Sequence, residues 1–182
     1  IAVAFDRTGS RMYAGHLLIA GTPTFNVRAY SVNPTTGALS TISGSPFDVP
    51  SFPVSLDVDG SDNYLYVARV QANQVTAYSI DSADGSLSQL ASSPSNVGFN
   101  PFVVATEQDT TPLSLSSKFI YVTDPDGDIH SFNFASNGTL SPGAGSPASA
   151  GAFSGTAQTT CWRNSRKATA ASSVSNSRST TT

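Results

Sequence analysis

The sequence holds a single cysteine, Cys161, among its 182 residues. That excludes an internal disulfide framework and a multi-Cys zinc site, and it leaves the redox compartment open. Charge is scarce too: Asp, Glu, Lys and Arg make up 12% of the chain. The polar share comes instead from Ser, Thr, Asn and Gly, a balance that suits strands and turns better than exposed helices. No run approaches the ~18 consecutive apolar residues a membrane helix needs, and the opening, IAVAFDRTGS, has neither a basic n-region nor an initiator Met. The expectation is a chain without a membrane partner that starts partway along a longer protein. The nucleophile elbow G-x-S-x-G, the dinucleotide fingerprint G-x-G-x-x-G and the P-loop are all absent.

What is present is a repeat, the signature of a propeller or solenoid when its period is roughly 40 to 50 residues. An apolar-Tyr strand appears as Met12-Tyr13-Ala14, Leu65-Tyr66-Val67 and Ile120-Tyr121-Val122, with the Tyr anchors 53 and 55 residues apart (66 − 13 and 121 − 66). An alternating strand ending in an aromatic follows, as Val27-Arg28-Ala29-Tyr30, Val75-Thr76-Ala77-Tyr78 and Ile129-His130-Ser131-Phe132. A Gly turn then opens a fourth strand at Gly37, Gly85 and Gly138, where the residue must take positive φ. A Ser-Pro element closes each copy at Pro46, Pro94 and Pro147, and an apolar stretch such as Val54 to Val58 or Phe102 to Ala105 comes next. Pro cannot donate to a ladder, so Ser-Pro is expected at the exit from the outermost strand, where the chain crosses to the next unit.

Each unit reads as four short antiparallel strands, the content of one blade. The fold expected is all-β: a β-propeller fragment of about three blades, over residues 1–50, 51–98 and 99–150. Residues 1–153 form the partial propeller and 154–182 a disordered tail. That tail is Ser/Thr-rich, with Arg163, Arg166, Lys167 and Arg178 as its charges, whereas all twelve acids lie before residue 130. Four dispersed bases are a thin footprint for nucleic acid, and no nucleic-acid partner is expected. Closed propellers take about 4 to 8 blades, so the partners expected are the missing blades of a longer chain or further copies of this one.

The order LYVA, VTAYSID, GSLSQL, SP and then Pro resembles the YVTN-repeat and seven-bladed lactonase-type β-propeller family over roughly residues 1–153. The resemblance implies a lactonase-like hydrolase of the 6-phosphogluconolactonase type, acting on a small sugar lactone without a cofactor. The alternative is a non-catalytic module whose rim binds carbohydrate or protein. Ser, Thr and Asn richness with low charge fits a secreted or envelope protein, and the compartment is otherwise open.

The repeat also aligns the polar residues. His16, Arg69 and Asp124 each lie three residues after the second-strand Tyr and are expected on one rim. His16 and Asp124 are candidates to activate water on a lactone, and Arg69 to grip an acidic group on the substrate. The competing expectation is that all three are solvated loop residues. Glu107, the only Glu, follows an innermost strand and is a candidate channel base or a solvated strand end. DPDGD, Asp124 to Asp128, has its Gly too early for a calcium loop and reads as a tight turn, so no metal site is expected. Asn137-Gly138-Thr139 is both a glycosylation sequon and a hairpin turn. Tyr13, Tyr66 and Tyr121 are expected to pack between blades rather than to stack on sugars.

Overall fold

The computed structural model describes residues 2–18, 23–107, 118–135 and 140–149. The Asn137-Gly138-Thr139 turn and the 154–182 tail lie outside them. The chain divides into Ile1–Gly151 and Ala152–Thr182, and the first unit carries three antiparallel sheets in succession. The first sheet contains β1 (Val3–Phe5), β2 (Arg11–Leu18), β3 (Thr24–Val32), β4 (Leu39–Thr41) and β5 (Phe47–Asp48). The second contains β6 (Pro53–Val58), β7 (Tyr64–Arg69), β8 (Gln74–Ile80), β9 (Leu87–Gln89) and β10 (Ser95–Asn96). The third contains β11 (Val103–Thr106), β12 (Lys118–Thr123), β13 (Asp128–Phe134), β14 (Leu140–Pro142) and β15 (Ala148–Ser149). These are the three blades read from the repeat, with β1, β6 and β11 as the first strand of each.

The outer edge of each blade differs from the expectation. Its fourth strand is broken in two, β4 and β5, β9 and β10, β14 and β15, and both halves pair with the third strand. Ser-Pro sits at the break, with cis peptide bonds at Ser45-Pro46, Ser93-Pro94 and Ser146-Pro147. It is therefore not the exit to the next blade. The serine has its own task there: its Oγ accepts the N–H of Ala29, Ala77 or Ser131, at 3.0, 2.7 and 3.0 Å. The carbonyls of those same three residues accept the N–H of Ile42, Leu90 and Gly143. A break in a ladder would otherwise strand a buried backbone donor, and the hydroxyl satisfies it.

Strand alternation sends each blade's two faces into two seams. On β7, Leu65 and Val67 pack toward the first blade with Tyr13, Val27 and Ala29. Tyr66 and Ala68 pack toward the third with Ile120, Val122, Phe132 and Phe134. Tyr13 and Tyr66 are 0% and 1% exposed, as packing between blades predicts, but Tyr121 at the same station of the third blade is 39% exposed. The face that carries Tyr121 is the one a following blade covers in the first two repeats.

The seams are also stitched by polar groups. Asp57 on β6 accepts the N–H and hydroxyl of Thr106 on β11, at 2.7 and 2.9 Å, and Ser55 Oγ accepts the Val104 N–H. The first two blades approach so closely at Gly15 that an added Cβ would lie 2.8 Å from Leu56 Cδ1 and 3.2 Å from the Pro53 ring. Leu56 is itself buried and the Pro53 ring is rigid, so neither has room to give way. Gly15→Ala is expected to destabilise the chain by about 1–3 kcal/mol, read as a lower urea midpoint with an unchanged m-value. An unchanged midpoint would mean that the seam tolerates the extra methyl.

Candidate functional site

His16, Arg69 and Asp124 do occupy one station of the repeat. His16 pairs across the sheet with Asn26 and Arg69 with Gln74, while the Asp124 N–H donates to the Asp128 carbonyl. They are not loop residues in common: His16 lies inside β2, Arg69 ends β7, and Asp124 opens the turn after β12. Their side chains also do not share an environment. Arg69 has the parity of Leu65 and Val67 and points into the seam between the first two blades. Asp124 has the parity of Ile120 and Val122 and points into the seam between the second and third. His16 lies on the face of β2 opposite Tyr13, turned away from the second blade. There His16 Nδ1 and Asn26 Oδ1 are both buried without a hydrogen-bond partner among the described residues.

The chemistry of the Asp124 station is completed by a residue that the repeat alone did not single out. His130 on β13 pairs with Val122, two residues before Asp124, so both side chains fall on one face. His130 Nε2 lies 3.0 Å from Asp124 Oδ2, and the imidazole stacks on Phe99 with centroids 3.6 Å apart and planes inclined by 18°. Asp124 Oδ1 accepts the N–H groups of Asp126 and Asp128, both at 3.0 Å. Desolvation works to raise the Asp124 carboxyl, but the hydrogen bond from His130, the backbone donors and the imidazole charge outweigh it. Its pKa therefore sits below the ordinary carboxylate value. The result is a fixed carboxylate that orients one imidazole. The only sequence signal for the pair was strand alternation combined with register, because His130 sits in an ordinary strand pattern.

Arg69 is 2% exposed. Its Nη2 donates to Gln74 Oε1, and Gln74 Nε2 donates to Asn96 Oδ1 at 2.8 Å. Burial lowers the pKa of this guanidinium, and Tyr78 acts in the opposite direction. Glu107 belongs elsewhere. Ala105 pairs with Tyr121 as Asp57 pairs with Tyr66 and Ala4 with Tyr13, which makes Glu107 the third copy of the station held by Asp59 and Asp6. Those two carboxylates close the hairpin between the first and second strands. Asp6 accepts the Arg11 N–H at 3.0 Å, and Asp59 accepts the N–H groups of Asn63 and Tyr64 at 3.0 and 2.9 Å. Glu107 follows Thr106 at one end of β11 while Asp124 adjoins Val103 at the other, a separation on the order of 15 Å along the strand. The structure does not bring them together. Among the described residues no group of three or more His, Cys, Asp or Glu side chains could hold a metal ion.

Residues 26–105 match the family described as Lactonase, 7-bladed beta-propeller. Among solved structures, a candidate 6-phosphogluconolactonase from Bacteroides fragilis is 16% identical with a TM-score of 0.60, covering 81% of this chain and 38% of its own. One from Bacteroides uniformis is 18% identical with a TM-score of 0.55, covering 78% and 39%. The periplasmic gluconolactonase of Pseudomonas aeruginosa is 18% identical with a TM-score of 0.54, covering 80% and 40%. No curated protein matches. At these identities the likeness establishes the fold, and this chain spans only about two fifths of each structure. The chain is thus a three-blade stretch of β-propeller that resembles, over part of its length, the seven-bladed lactonase family.

Proposed function

We propose that these blades hydrolyse a sugar lactone, with His130 as general base and Asp124 as the residue that positions it. The observation that carries this reading is the 3.0 Å contact between His130 and Asp124. The family match and the gluconolactonase-like neighbours favour that substrate class. In the reaction, neutral His130 takes a proton from water as the oxygen attacks the lactone carbonyl. The tetrahedral intermediate then collapses with cleavage of the ring C–O bond, and the imidazolium returns its proton to the departing alkoxide. Asp124 stays ionised throughout, because its hydrogen bonds favour the charged form.

The test is hydrolysis of glucono-δ-lactone and 6-phosphogluconolactone by the full chain, followed in a pH-stat above the uncatalysed rate. Asp124→Asn is expected to lower kcat roughly 10²-fold. KM should change little, because the substitution misorients the base rather than removing a contact that binds substrate. A merely structural Asp124 would leave kcat per folded molecule unchanged. Absence of turnover above background would overturn the reading and return the rim to the alternative, a surface that binds carbohydrate or protein.

A further inference from the structure

The seam between the first and second blades holds polar groups that this reaction does not use. Arg69 Nε and Nη1 are buried and have no hydrogen-bond partner among the described residues. The same is true of Thr76 Oγ1 and the Tyr78 hydroxyl, whose side chains share the Arg69 face of the second blade. Ser51 Oγ, on the crossing that leads into β6, is a further buried hydroxyl without a partner. Arg69 is the largest charge acting on the Tyr78 hydroxyl, so the two groups lie within electrostatic reach of each other.

Buried polar groups are almost always satisfied, and several unsatisfied ones converging on a single seam mark a place where something polar belongs. Water could serve the hydroxyls, but a guanidinium removed from solvent also calls for negative charge. Asp48, the carboxylate that also acts on the Tyr78 hydroxyl, is exposed. We propose that a small oxyanion, a carboxylate or a phosphate, binds between the first and second blades on Arg69 Nε and Nη1, with the Tyr78 hydroxyl as a further donor. Such an ion would lock the two blades together. The proposal does not rest on the hydrolytic reading, because Asp124 and His130 lie in the other seam, so either idea can fail while the other stands.

The experiment is thermal unfolding of the full chain titrated with inorganic phosphate and, separately, with acetate at constant ionic strength. A saturable rise in Tm is expected with at least one of them, since a ligand that binds only the folded state stabilises in proportion to ln(1 + [L]/Kd). Saturation by phosphate alone assigns a tetrahedral anion, and saturation by acetate alone a carboxylate. Arg69→Met should abolish the rise. Tyr78→Phe keeps the ring and removes the donor, so it should weaken the apparent affinity about three- to tenfold, and it decides the matter if Arg69→Met does not fold. A shift that never saturates, or one that persists unchanged in Arg69→Met or in Tyr78→Phe, is the general salt effect of an excluded anion and overturns the proposal.

Discussion

His130→Gln is expected to reduce lactone turnover by about 10²- to 10⁴-fold in kcat, the range a positioned general base contributes. Glutamine still reaches the Asp124 carboxylate, so the hydrogen bond that now measures 3.0 Å can be kept. It cannot take up the proton of the attacking water. KM should therefore change little, because the substitution removes an interaction made in the transition state rather than in binding. The stack of the imidazole on Phe99 is lost as well, so circular dichroism and the unfolding midpoint must accompany the kinetics. A kcat within about threefold of the parent, in a variant that folds normally, would remove His130 from the reaction.

The largest stability effect is expected at Tyr66. It is 1% exposed and lies edge-on to Phe134, with centroids 5.2 Å apart and planes at 83°. Phe134 is contacted in the same way by Tyr64 at 5.0 Å, so one ring of the third blade is gripped by two rings of the second. Tyr66→Ala removes the more deeply buried member of that grip and is expected to cost about 3–5 kcal/mol, as other large aromatic truncations in cores do. Against a total of roughly 5–15 kcal/mol for a typical domain, this is enough to unfold part of the population. Tyr121→Ala is the internal control. It stands at the same station, but its side is 39% exposed, so its cost should be about 1 kcal/mol or less on apolar-area grounds. Urea melts of the two variants separate the alternatives: equal losses would mean that burial between blades is not what the second-strand Tyr supplies.

Much of this architecture was legible in one dimension because it is enforced locally. Tyr13, Tyr66 and Tyr121 mark the second strand of each blade, and the turns at Gly37 and Gly85 adopt φ of +70° and +82°. These are properties of short stretches, set by alternation and by the backbone freedom of a few residues. Ser-Pro was legible as punctuation but not as to its place. That it interrupts the outer strand, rather than ending it, depends on Ser45, Ser93 and Ser146 reaching a donor 15 or 16 residues earlier on the neighbouring strand.

The site was legible only as a set of stations. Sequence alone placed His16, Arg69 and Asp124 at one position of the repeat, and the pairing registers agree. It expected one rim for all three, whereas the shared station lies on the same side of each blade and so places Arg69 and Asp124 in different seams. It passed over His130, and it read Glu107 by its rarity rather than by its kinship with Asp6 and Asp59. Which residues repeat, and at what spacing, was settled by the chain itself, because strand period and turn chemistry act within a few residues. Which of them meet was decided only when blades packed against blades: a change of one residue in parity moves a side chain from one seam to the next, and proximity across a seam leaves no mark on the spacing along the chain.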